Sequence, residues 1–70
     1  MAYQDPRVEQ LYNIAWKKFN QLDVRLEAVR SLGKLSASGI REASIALGAL
    51  ANSDRIADVR KEATRQLGRV

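Results

Sequence analysis

Residues 23 to 35 read DVRLEAVRSLGKL and residues 58 to 70 read DVRKEATRQLGRV. The two stretches share Asp, Val, Arg, Glu, Ala, Arg, Leu and Gly at matching places, eight identities in thirteen at an offset of 35 residues. A weaker echo lies between them, where Glu42, Ala43, Leu47 and Gly48 repeat the E-A-x-x-x-L-G spacing of Glu27, Ala28, Leu32 and Gly33. Self-similarity at this period marks stacked supersecondary units, each too small to bury its apolar face alone.

Within the repeated phrase the apolar residues fall at steps of three and four, the spacing of one helical face. Val24, Ala28, Leu32 and Leu35 form one stripe of a helix, and Leu26 and Val29 form a second round the cylinder, so this helix needs cover on two sides. The second copy keeps one narrow stripe, Ile56, Val59, Ala63, Leu67 and Val70, and needs cover on one side. Upstream, Asp5-Pro6 is a good helix start, since Asp caps free backbone N–H groups and Pro at the first position gives up a bond that was not needed. Val8, Leu11, Tyr12, Ala15 and Phe19 follow as its buried stripe, with Ile14 and Trp16 widening it. Asn20 with Asp23 resembles a capping box for the next helix. Ser36-Ala37-Ser38-Gly39 is the flexible stretch, with either serine able to cap a third helix that buries Ile40, Ala43, Leu47, Leu50 and Ala51 and carries Ile45 and Ala49 on its flank. Asn52-Ser53-Asp54 ends that helix and caps the fourth. No run alternates with period two, so the fold class is all-α: four helices arranged as two stacked helical hairpins in a single domain over residues 1–70.

Composition narrows the chemistry. Seventy residues without cysteine or histidine exclude disulfides, thiolate metal sites and imidazole catalysis. Glycines 33, 48 and 68 are spread through helices, where they permit close helix contact, and are not gathered into a phosphate loop. Two hairpins enclose little volume for a cleft, so no enzyme, metal or cofactor is expected. There is no apolar run of about 18 residues and no signal-peptide pattern, which points to a cytoplasmic protein away from the membrane. The net charge of +4 is uneven: residues 1 to 54 hold seven basic against six acidic side chains, and residues 55 to 70 hold five against two.

The V-R-x-E-A-x-x-x-L-G phrase, placed in the second helix of each hairpin, resembles HEAT repeats of the short bacterial kind called PBS-lyase HEAT-like repeats. The resemblance covers unit 1 at residues 5–35 and unit 2 at residues 37–70, and it implies a short HEAT-like α-solenoid. It also implies that Arg25 and Arg60 belong to a structural ladder with acidic residues near the hairpin turn, namely Asp23, Asp54 and Asp58. The chain differs from the family in being two units long and in having an aromatic-rich first helix.

Aligned at an offset of 35, Leu26 and Val29 match Lys61 and Thr64; aligned at 32, Asn13 and Lys17 of the first helix match Ile45 and Ala49 of the third. The apolar member then always falls at the inner junction, which is the capping expected of terminal repeats and predicts a monomer. The change of offset places a three-residue insertion between Asn52 and Asp58. Arg30 matches Arg65 and Lys34 matches Arg69, so the second helices stack two basic rows, with Lys61 at the end; the HEAT resemblance implies that these rows line the concave side. Glu27 and Glu62 stand three residues before Arg30 and Arg65 and partly cancel this field, so a merely solvated face is the simpler reading. As a site, the stripe would hold another macromolecule, a protein first and nucleic acid second. Trp16, on the edge of the first helix, is either core or an interface anchor, and a dimer through that helix is the alternative to the monomer. The family resemblance adds a phycobilisome or bilin-lyase-related accessory role as a further alternative.

Overall fold

A computed structural model of the chain describes residues 3–17 and 19–68. Four helices make up the described residues: α1 (Pro6–Trp16), α2 (Leu22–Ala37), α3 (Arg41–Ser53) and α4 (Ala57–Gly68), with no strand among them. α1 packs on α2 and α3 on α4 as two hairpins, α2 also lies against α3 and α4, and α1 touches α3 lightly. Every helix is therefore amphipathic by need, and α2 is the one surrounded on most sides. Its Ala28, Val29, Leu32, Gly33 and Ser36 are buried, while Leu47 and Leu50 of α3 and Val59 and Ala63 of α4 close the core. Val70 and Arg69 lie outside the described residues.

The helices start and stop for identifiable reasons. The Asp5 side chain accepts the Arg7 backbone N–H at 2.9 Å, Pro6 follows at N1, and Arg7 Nη2 returns to Asp5 Oδ2 at 2.8 Å. Those bonds from Arg7, side chain first and backbone second, hold the Asp5 carboxyl below its ordinary range. Glu42 of α3 anchors the segment before α1 by accepting the N–H groups of Gln4 and Asp5, at 3.0 and 2.8 Å. Tyr3 stacks edge-on against Tyr12, ring centroids 5.1 Å apart, and burial, ahead of Tyr12, Glu9 and Glu42, raises its phenol pKa.

The capping box expected at Asn20 and Asp23 is absent. Gln21 is the N-cap of α2 and makes no side-chain cap bond, and the Asn20 amide instead donates to the Ile14 carbonyl at 3.0 Å. The last carbonyls of a helix need donors as much as the first N–H groups need acceptors, and Asn20 serves the end of α1. The serine-rich stretch is also no linker. α2 runs through Ala37, past the boundary expected at residue 35, and ends in a Schellman motif: Ile40 N–H donates to Leu35 O and Gly39 N–H to Ser36 O, each at 3.0 Å. Gly39 takes φ 98°, which only glycine adopts without strain. Ser36 is buried and bonds to Ser44 across the hairpins, and Ile40, not a serine, is the N-cap of α3.

Pro6 and Arg41 open the first helix of each hairpin and Leu22 and Ala57 the second, so both pairs begin 35 residues apart. The offset of 32 expected for the first helices is thereby corrected, and with it the insertion after Asn52. Ile45 corresponds to Gln10 rather than Asn13, and it faces solvent at 56% exposure instead of lining the inner junction. Phe19, expected in the core, is 97% exposed because α1 stops three residues earlier.

Candidate functional site

Arg25 is the centre of the hairpin-turn end. Its Nη2 meets Asp54 Oδ2 at 2.6 Å with both side chains buried, and its Nε donates to the Ala15 carbonyl at 2.8 Å. Asp54 is the C-cap of α3; its Oδ1 accepts the Ile56 N–H at 2.9 Å, and its backbone carbonyl accepts Arg60 Nη1 at 2.8 Å. The pair thus ties α1 and α2 through Arg25 to both ends of the α3–α4 turn through Asp54, and no buried side-chain polar atom among the described residues lacks a partner. Arg25 and Arg60 converge on Asp54, whereas Asp23 accepts the neighbouring Val24 N–H and Asp58 makes no side-chain bond among the described residues.

Above this ion pair opens a cleft of about 480 Å³ lined by Trp16, Arg25, Ser53, Asp54, Arg55 and Ile56. Trp16, at 53% exposure, and Ile56 form its apolar walls. Arg55 is exposed and has no ion pair among the described residues. The exposed side chains Phe19 and Leu22 occur in the connection that follows Trp16 and at the start of α2. Periodicity put Trp16 on the edge of the first helix as a possible anchor but assigned Phe19 to the core, so it marked only part of this patch.

The basic rows are arranged otherwise. Glu62 of α4 is buried, 8% exposed at its side chain, and stands 3.6 Å from Arg30 Nε and 3.6 Å from Arg65 Nη1. Gln66, also buried, donates to it at 2.8 Å. Arg30 further meets Glu27 at 3.6 Å. Two of the stripe's arginines therefore share one carboxylate, which offsets part of their charge, while both side chains still reach solvent at 47% and 65% exposure. Lys34 and Lys61 are exposed and have no ion pair among the described residues; Arg69 lies outside them. Gln66 fits because Gly33 lacks a side chain: a methyl there would collide with the Gln66 amide. A methyl at Gly48 or Gly68 would meet nothing within 4 Å among the described residues outside its own stretch of helix, so the close-contact reading holds for Gly33 alone of the three.

Among the described residues no group of three or more acidic, His or Cys side chains is placed to hold a metal ion, and no helix is long and apolar enough to cross a membrane. No protein-family model, no curated protein and no solved structure matches the chain.

Proposed function

We propose that this chain is a non-enzymatic, HEAT-like module that binds another protein in the cytoplasm, and that its anchor point is the Trp16 cleft rather than the basic rows. The observation that carries this reading is an exposed tryptophan beside an exposed isoleucine, over a rigid floor made by the Arg25–Asp54 ion pair, with Arg55 at the rim. Tryptophan and arginine are the residues that most often dominate interface energetics, and a pre-formed cleft spares the cost of ordering it on binding. The charge of Arg55 favours a partner segment that presents an apolar side chain next to an acidic one. The repeat at a uniform 35-residue spacing and the packing of α2 on α4 support the HEAT-like part of the proposal.

Peptides selected from a displayed library against the folded chain test it. Binders are expected to carry an apolar residue beside Asp or Glu, to change the Trp16 fluorescence, and to be lost in Trp16→Ser and weakened in Arg55→Glu. Retention in Trp16→Ser with loss in the double variant Lys34→Glu, Lys61→Glu would move the site to the second-helix face. Salt-steep binding of random duplex DNA would favour the nucleic-acid alternative. That alternative is the weaker one, because Arg30 and Arg65 already share Glu62.

A further inference from the structure

The junction between the hairpins has a copy of each of its halves facing outward. By the 35-residue correspondence, Val24, Glu27, Ala28 and Ser31 of α2 hold the places that Val59, Glu62, Ala63 and Gln66 hold on α4. On α4 all four are buried, and two of them meet α2, Glu62 at Arg30 and Gln66 at Gly33. On α2 they line a shallow hollow of about 250 Å³ together with Leu11 and Ile14 of α1, with Val24 and Glu27 exposed at it and Ala28 buried beneath. This is the leading face of the molecule. The opposite, trailing face repeats the other half: Gly68 corresponds to Gly33, and nothing among the described residues fills the space that Gln66 fills beside Gly33.

Charge repeats in the same way. Glu62 stands between Arg65 of its own helix and Arg30 of the preceding hairpin, each at 3.6 Å. Among the described residues Glu27 pairs with Arg30 alone, on its own helix at 3.6 Å. Arg65, the counterpart of Arg30, pairs there with Glu62 alone. The side chains of Glu27 and Arg65 are 68% and 65% exposed, stand at the two ends of the row Glu27–Arg30–Glu62–Arg65, and are of opposite sign.

We propose that a second copy of this chain docks on the leading face in a head-to-tail stack, Arg65 of one copy reaching Glu27 of the next and Ser31 lying over Gly68. The contact reuses the inner junction between copies. It is weaker than that junction, since Lys61 and Thr64 stand on α4 where α2 has Leu26 and Val29. A contact between two different faces does not close on itself, so the stack grows beyond two copies. The proposal is independent of the Trp16 cleft.

Sedimentation of the 70-residue chain over a wide concentration range tests it. The weight-average mass is expected to rise with concentration past that of a dimer. Glu27→Arg and Arg65→Glu are each expected to weaken this association roughly tenfold or more, because like charges then face each other. An equimolar mixture of the two variants, and the double variant, restore it. Ser31→Trp, which leaves Glu62 and Gln66 untouched, blocks the leading face by bulk and guards against misreading a folding defect in Arg65→Glu; far-UV circular dichroism of each variant checks the fold. A single-chain mass at every concentration overturns the proposal. So does an association that ignores Glu27→Arg and Ser31→Trp, or one that Trp16→Ser abolishes while both of these leave it intact.

Discussion

Arg25 and Arg60 hold one repeat position, and the structure gives them unequal burdens. Arg25 is buried, with its charge answered by Asp54 at 2.6 Å, while Arg60 is half-exposed and donates to a carbonyl. Removing one member of a buried pair leaves the other charged and dry, at a cost of about 3–5 kcal/mol. A core of this size supplies about 3–5 kcal/mol in total, so Arg25→Ala is expected to be largely unfolded at 25 °C by far-UV circular dichroism. Arg60→Ala loses one hydrogen bond at a wet edge, about 1 kcal/mol, and stays folded. Equal melting temperatures for the two variants would contradict this account. The glycines divide in the same manner. Ala is the better helix former by about 0.5–1 kcal/mol, and Gly48→Ala is expected to gain that amount because nothing stands near it. Gly33→Ala must push the buried Gln66 off Glu62 and is expected to lose about 1–3 kcal/mol net in urea unfolding; in a Gln66→Ala background the loss should shrink or reverse. The L-G phrase is the same at both sites, so the sequence marked the positions without telling which of them receives a neighbour.

At the scale of the element, the helices were legible and their ends were not. Periods of three and four located all four helices because each needs one buried stripe, and that need is written in consecutive residues. Ends depend on which orphan group a polar side chain reaches, and Asn20, Ser36 and Asp54 all had two candidates in reach. Asn20 turned back to α1, Ser36 joined Ser44 across the hairpins, and Asp54 took Arg25 from 29 residues away. The N-cap read correctly, Asp5, is local in sequence, as is the stop of α3 at Asp54, and Asp5 carries a pH dependence. Arg7 holds the folded Asp5 pKa below the ordinary 3.8, so the charged form favours folding. That contribution is complete above the unfolded value and disappears as pH falls through the depressed one. Asp5→Asn keeps a capping oxygen and removes the charge. The melting temperatures of the two proteins are expected to differ by a constant amount from neutral pH down to about pH 5 and to converge below pH 4. A difference that persists unchanged at the lowest pH would assign the effect to something other than the carboxylate.

For the whole molecule, the 35-residue echo carried the architecture, and the same echo concealed the faces. Equivalent positions in a repeat have equivalent backbone but not equivalent neighbours: Val59 is fully buried and Val24 exposed, Val29 fully buried and Thr64 exposed. Cutting the chain between the hairpins should therefore be far more damaging than the loss of a linker. Val29, Leu32, Gly33 and Ser36 of α2 are buried, and α3 and α4 both pack on that helix. In an isolated fragment of residues 1–39 the α2 surface that α3 and α4 cover, Ser36 and Gly33 among it, would meet water, and a much smaller core with Val8, Ala15 and Ala28 in it would remain to hold the hairpin. Asp54 would be gone as well, leaving Arg25 without its carboxylate. Helices of this length are marginal in water without tertiary packing, so the fragment is expected to show weak helical circular dichroism and no cooperative melt. The 70-residue chain should unfold in one transition, with Val8→Ala and Val59→Ala each shifting the entire curve although they lie in different hairpins. If the fragment were instead to melt cooperatively, the first hairpin would be a domain in its own right. The cover that α3 and α4 give to α2 would then be a contact between domains and no longer the core that makes the fold.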